Sequence, residues 1–77
     1  MIRLENINKQ KDHVLCDIYP EDSEKNGTLD VNLTTGDVDY KLPEGYEYCE
    51  SHIHHAYRWI KDFDGKEYPE QRTIMWY

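Results

Sequence analysis

Three histidines and a cysteine lie within seven residues in the second half of the chain, at Cys49, His52, His54 and His55. Imidazoles and thiolates are common zinc ligands, and a cysteine beside a histidine can also act as a nucleophile with its base. Either chemistry requires the side chains to converge on one point. The first question for this sequence is therefore which local structure carries these four residues.

Helical periodicity runs through the same stretch, from about residue 47. Apolar residues recur at spacings of four, three, four and three, at Cys49, Ile53, Ala56, Ile60 and Phe63. At about 100° per residue they fall within an arc of about 80° on one side of a helix. Gly65 follows shortly afterwards and suits a left-handed residue at a helix C-terminus. The sequence therefore predicts an amphipathic helix here.

On such a helix the three imidazoles do not converge. His52 lies about 60° from the centre of the apolar stripe and His55 about 120° on the same side, whereas His54 lies about 140° on the other. Only Cys49 with His52, or His52 with His55, have the spacing at which helical side chains meet. A zinc site needs three or four ligands. We therefore predict no metal site, and keep as the alternative a metal-binding protein or small metal-dependent enzyme that uses Cys49, His52 and His55.

Catalytic motifs are also missing from the sequence, which has no HEXXH, no phosphate-binding glycine loop and no GxSxG. Cys16 and Cys49 are both predicted to point into the interior, as small apolar groups. A catalytic thiol instead needs partial exposure and electropositive surroundings. We predict that the protein is not an enzyme, has no catalytic residue and needs no cofactor.

Period-two alternation, typical of half-buried strands, occurs in four short segments before the helix: 2–7, 13–19, 28–34 and 38–42. The turn sequence TTGD joins the third to the fourth and favours an antiparallel hairpin. Residues 72–77 are strand-like again. We predict a single α+β domain over residues 1–77, with a mainly antiparallel sheet of four or five strands and one amphipathic helix on one face, in the order ββββα followed by a C-terminal strand.

Charge narrows the classes of partner. The chain has 16 acidic and nine basic residues, a net charge of −7. Direct binding to nucleic acid phosphates requires a basic surface, and anionic membranes repel an acidic protein. The sequence shows neither a signal peptide nor a membrane span, and its two cysteines suit a reducing compartment. We expect a cytoplasmic protein whose partner is another protein or a second copy of itself.

An acidic loop lies between the second and third predicted strands. Residues 22–30 resemble a calcium-binding loop that starts at Asp22, but Leu33 stands where the closing bidentate glutamate belongs. We interpret the segment as a polar loop with a turn at Asn26-Gly27, and weak calcium binding at 21–30 is the alternative. Acidic residues concentrate around it, at Asp17, Glu21, Asp22, Glu24 and Asp30. They raise a further hypothesis, an acidic inhibitor that mimics nucleic acid for a basic target.

The last four residues of the chain, 74–77, all have large side chains, and Trp59 lies on the flank of the predicted helix. Exposed aromatic residues are favoured in binding surfaces. Trp59, Met75, Trp76 and Tyr77 form a candidate interaction surface. The simpler interpretation, which we prefer, is that the last strand tucks between sheet and helix and leaves only Tyr77 outside, with an interaction surface as the alternative.

In three stretches, CDIYPEDS (16–23), HHA (54–56) and TIMWY (73–77), the chain resembles small cytosolic bacterial proteins known only as uncharacterised. The resemblance implies a bacterial cytoplasm and a complete stand-alone chain, and it assigns no catalytic residue. The leading functional prediction is therefore a small acidic cytosolic binding or regulatory protein without catalytic activity.

Overall fold

Five strands and one helix make up the regular structure of residues 1–76, the part of the chain that the computed structural model describes. In chain order they are β1 Ile2–Gln10, β2 His13–Pro20, β3 Gly27–Asn32, β4 Val38–Lys41, α1 Glu50–Asp62 and β5 Arg72–Ile74. The strands form one sheet in the order β4-β3-β2-β1-β5, and every neighbouring pair is antiparallel. The predicted α+β fold, with a helix after the fourth strand and a final strand, is confirmed.

One face of the sheet is buried, because the apolar residues alternate with polar ones along each long strand. In β2, Val14, Cys16 and Ile18 are buried, while the residues between them are partly exposed. Helix α1 covers this face with its buried residues Ile53, Ala56 and Ile60. Each fully buried branched side chain contributes about 1.5–3 kcal/mol relative to an exposed one. The two apolar surfaces therefore stabilise each other, as the sequence predicts.

A bulge in β1 adjusts the alternation of that strand. The register with β2 shifts between Glu5 and Asn8, and Asn6 adopts a left-handed backbone with φ of 54°. Asparagine tolerates this conformation better than most residues. The extra residue brings Ile7 onto the buried face that already holds Ile2 and Leu4. The bulge thus lets three apolar side chains of β1 reach the core.

Gly27 differs from its predicted role. It is buried and is the first residue of β3, so the prediction of an Asn26-Gly27 turn is wrong. A Cβ atom at Gly27 would stand 2.1 Å from the backbone oxygen of Lys41. The glycine is therefore needed for the close approach of the β3 and β4 backbones. The turn between β3 and β4 does contain a glycine with positive φ, Gly36 at 82°.

The helix and the last strand are both shorter than predicted. Helix α1 begins at Glu50, after Cys49 at the N-cap, and Gly65 beyond its end has φ of 95°. Strand β5 covers only residues 72–74 and pairs with β1, where Ile74 lies opposite Ile2. It is an edge strand of the sheet rather than a layer between sheet and helix. Over residues 1–76, the length and polarity of the helical segment rule it out as a membrane span.

Candidate interaction face of the sheet

The face of the sheet opposite α1 carries two rows of side chains that cross β1 to β4. We call these two rows the open face. In the first row, Asp39 pairs with Asp30, Asp30 with Leu15, and Leu15 with Asn8. In the second, the corresponding partners are Lys41, Thr28, Asp17 and Glu5. Residues directly opposite in an antiparallel pair point to the same side, so each row presents its side chains together.

A shallow hollow of about 530 Å³ occupies the centre of the open face. Leu15 and Thr28 line its middle, while Asp17 and Asp39 line it at opposite sides. Within residues 1–76, no second layer covers the sheet here, since α1 packs on the other face. The hollow therefore combines a small apolar centre with carboxylates around it.

Two pairs of like charges lie directly across strands on this face. Asp30 is opposite Asp39, and Glu5 is opposite Asp17. Like charges in this position destabilise a sheet. Arg3 Nε donates a hydrogen bond to Glu5 and offsets the charge of that pair in part. In the Asp30–Asp39 pair, the neighbouring basic group is His13, which contacts Asp30.

His13 modulates the charge of Asp30. Its Nδ1 atom donates a hydrogen bond of 2.8 Å to Asp30 Oδ1, and Asn32 Nδ2 lies 3.5 Å from Nε2 on the other side of the ring. The hydrogen bond to Asp30 raises the pKa of His13 above its usual value, with a smaller contribution from the charge of Asp12. A proton on His13 is therefore favoured by the carboxylate beside it.

Neutral donors hold Asp17 in place. Asn6 Nδ2 donates to Asp17 Oδ2 over 2.8 Å, and Asn26 Nδ2 donates to Oδ1 over 3.2 Å. The amides come from the β1 bulge and from the loop before β3, so both irregular segments help to position this one carboxylate. Amide donors orient the group without cancelling its charge. Asp17 remains available to a cationic group from solvent.

The residues of the metal alternative have separate contacts. Cys49 is fully buried, and His52 Nε2 donates a hydrogen bond of 2.6 Å to Glu21 Oε1. The ring of His55 stacks on Trp76 with a centroid separation of 4.0 Å and an angle of 10°. No group of three or more His, Cys, Asp or Glu side chains in residues 1–76 is arranged to hold a metal ion.

Two of the three helix histidines have the exposure that the sequence predicts, and the third does not. His54 is exposed and His52 is mostly buried at the edge of the core, as predicted. His55 was expected to be solvated, but it is half-buried because Trp76 covers its ring. Trp76 also contacts His52 edge-on, with centroids 4.8 Å apart. The helix periodicity alone could not reveal a contact made by a distant segment.

Both thiols lie inside the protein, as predicted. Burial raises the pKa of the Cys16 thiol to about 12, and it also raises the pKa of Cys49. Both are free cysteines. Since the thiolate is the reactive form, neither site favours nucleophilic chemistry.

The carboxylates of the acidic loop between β2 and β3 have different hydrogen-bond partners. Glu21 accepts hydrogen bonds from His52 and from the α-amino group of Met1, at 2.6 and 2.9 Å. These contacts lower the pKa of Glu21, with His52 as the larger cause. Asp22 accepts a hydrogen bond of 2.9 Å from the Tyr46 hydroxyl. The loop thus fastens the sheet to the segment that leads into α1.

The candidate aromatic surface is largely engaged within the protein. Trp59 stacks on Phe63 with centroids 5.0 Å apart, and Trp76 packs on the helix histidines. Met75 is different, since 62% of its surface is exposed. Tyr77, the fourth residue of the predicted surface, lies outside the described residues.

Sequence reasoning overlooked Leu15 and Asp39, the residues that complete the hollow. Their signal was the strand alternation itself, which puts Asp39 on the side opposite Val38 and Tyr40. What the sequence lacked was the register that brings Asp39 beside Asp30.

Comparisons with known proteins add no relative: no protein-family model, curated protein or solved structure matches this chain.

Proposed function

We propose that this protein is a small acidic binding protein without catalytic activity, whose open face takes a basic segment of another protein. The observation that carries the proposal is the direct opposition of Asp30 and Asp39 on the sheet face opposite α1. Such a pair is unfavourable in the free protein. A lysine or arginine that contacts Asp39 would relieve this repulsion and would gain a charged contact.

The hollow supports the same proposal through its shape. Lysine and arginine carry long apolar stems below their charged groups. Leu15 and Thr28 offer a surface on which such a stem can lie while its cationic end reaches a carboxylate at the margin. Arginine suits this margin best, because its planar guanidinium binds carboxylates in two-point geometry.

The overall charge supports a basic partner at longer range. A net charge of −7 on a chain of 77 residues gives a field that speeds the encounter with cations and slows it with anions. The cytoplasmic location expected from the sequence belongs to the same proposal, as free thiols suit a reducing compartment. The metal-dependent alternative and the nucleic acid mimic stay predictions.

A basic peptide provides the test. A fluorescent decapeptide of alternating arginine and serine is titrated with the protein at low salt, and binding is followed by anisotropy. We expect the double variant Asp30→Asn/Asp39→Asn to bind about tenfold more weakly, and both proteins to lose affinity as salt rises.

A matched control removes the same charge elsewhere. The variant Glu47→Gln/Glu67→Gln changes two exposed carboxylates away from the open face. It should change the affinity less than twofold. An equal loss in both double variants would mean that only net charge matters, and would overturn the proposed binding face.

A further inference from the structure

We infer that the basic segment is recognised at two points, Asp17 and Asp39, by two cationic side chains four residues apart in an extended chain. This inference rests on the proposed function and adds the register of its partner. Asp17 and Asp39 belong to different rows and to strands separated by β3, yet they line the same hollow.

The distance between the two carboxylates follows from the strand pairing. Asp39 is opposite Asp30, Asp30 is opposite Leu15, and Leu15 precedes Asp17 by two residues in β2. Two strand spacings give about 9.6 Å across the sheet, and two residues give about 6.7 Å along it. The Cα positions of Asp17 and Asp39 are therefore about 12 Å apart on a diagonal of the open face.

An extended peptide matches this diagonal at only one short spacing. Side chains two residues apart are on the same side but only about 7 Å apart, and those three apart point to opposite sides. Side chains four apart share a side and are about 13 Å apart. The residue midway between them then lies over β3, between Thr28 and Asp30, where the methyl group of Thr28 and the neighbouring side chain of Leu15 offer apolar surface. The partner motif is thus basic, any, apolar, any, basic.

The choice of these two carboxylates follows from their neighbours. Glu5 is already paired with Arg3, and Asp30 accepts the hydrogen bond of His13. Asp17 is held by uncharged amides, and Asp39 is an exposed residue of the edge strand β4. Lys41 also lines the hollow, two residues from Asp39 on the same face of β4. Among residues 1–76, Asp30 forms an ion pair with His13, whereas Asp17 and Asp39 form none, so these two carboxylates are the ones open to a cationic partner.

Three peptides of identical composition test the register. Each has two arginines and one valine in a background of threonine and serine, with the arginines two, three or four residues apart and, in the last, the valine midway. Binding is measured by anisotropy at low salt. We expect the four-apart peptide to bind about fivefold more tightly than the other two. Since all three carry the same charge, long-range attraction alone predicts no difference.

Single variants locate the two contacts. Asp39→Asn and Asp17→Asn should each reduce the preference for the four-apart peptide to less than twofold, while Glu47→Gln should leave it unchanged. Circular dichroism checks that each variant is folded. Asp39 is exposed, so Asp39→Asn still tests the register if Asp17→Asn disturbs the loop whose Asn26 donates to Asp17.

The two proposals fail in different ways. Equal affinity for the three peptides, together with binding of the arginine–serine decapeptide, would overturn the two-point register and leave the proposed function intact. Absence of binding to all four peptides at low salt would overturn the proposed function, and the register with it.

Discussion

Asp30 of β3 and Asp39 of β4 lie directly opposite each other on the exposed face of the sheet. A sheet selected only for stability would avoid two carboxylates in this position, because directly opposed like charges repel. His13 offsets part of the repulsion through its hydrogen bond to Asp30. Functional surfaces often retain such unfavourable features, at a cost in stability.

Removing one carboxylate of this pair should stabilise the protein. We expect Asp39→Asn to raise the free energy of unfolding by about 0.2–1 kcal/mol at low salt, the usual range for one cross-strand pair. Urea denaturation followed by circular dichroism measures the change, and the effect should shrink in high salt. Glu47→Gln serves as the control for net charge. A destabilised Asp39→Asn variant would contradict the repulsion that we assign to the pair.

His13 should make stability depend on pH. Its pKa is raised above 6.5 in the folded protein, chiefly by the hydrogen bond to Asp30. A raised pKa means that the stabilising contribution is complete below about pH 6.5 and is lost as the pH rises through the folded value. We expect the stability difference between wild type and His13→Gln to be larger at pH 5.5 than at pH 8.5.

An NMR titration of the imidazole protons gives the pKa of His13 directly, and His54→Gln is a suitable control because His54 is an exposed helix residue. The same stability difference at both pH values would argue against the bond to Asp30 in solution.

Glu21 should contribute to stability in the opposite pH direction. Its pKa is lowered below 4.5 by hydrogen bonds from His52 and from the α-amino group of Met1. A lowered pKa gives a contribution that is present above about pH 4.5 and lost as the pH falls through the folded value. We expect Glu21→Gln to have a lower Tm than wild type at pH 7. The difference in Tm between the two proteins should become smaller below pH 4. Scanning calorimetry across this range tests it, and a constant gap would refute the ion pair.

The strands and the helix could be predicted because their periodicities are local. Val14, Cys16 and Ile18 alternate with partly exposed residues, and Ile53, Ala56 and Ile60 repeat at helical spacing, so each pattern identifies its own buried side. The extent of the short elements was less accurate. Strand β5 ends at Ile74 and does not continue along β1. Two residues further on, the side chain of Trp76 packs against His55 of α1.

The open face could not be predicted because it depends on register. Asp17 and Asp30 were recognised as acidic residues near one loop, but only strand pairing shows that Asp30 lies opposite Asp39 and that Leu15 lies opposite Asp30. The β1 bulge adds another shift that composition does not reveal. Contacts between distant segments, such as His52 with Glu21, depend on the assembled fold.

The two cysteines should be unreactive in the folded protein. Cys16 has a pKa of about 12 and Cys49 a raised pKa, and both side chains are buried. A thiol reagent such as dithionitrobenzoate at pH 8 should therefore react with neither until urea unfolds the chain, and with both afterwards. Fast labelling of one equivalent in native buffer would show that a thiol is accessible.

Gly27 should be indispensable for the pairing of β3 with β4. A methyl group at this position would stand 2.1 Å from the backbone oxygen of Lys41 and 3.0 Å from Cδ of Pro43. Because backbone atoms cannot rotate away as a side chain does, Gly27→Ala must push the strands apart. We expect a loss of about 1–3 kcal/mol, the usual cost of overpacking. Urea denaturation measures the loss, with Thr28→Ala at the exposed neighbouring position as the control. If Gly27→Ala unfolds at the wild-type midpoint, the two backbones do not approach as closely in solution, and β4, which carries Asp39, is not held against β3 in the way that the proposed binding face requires.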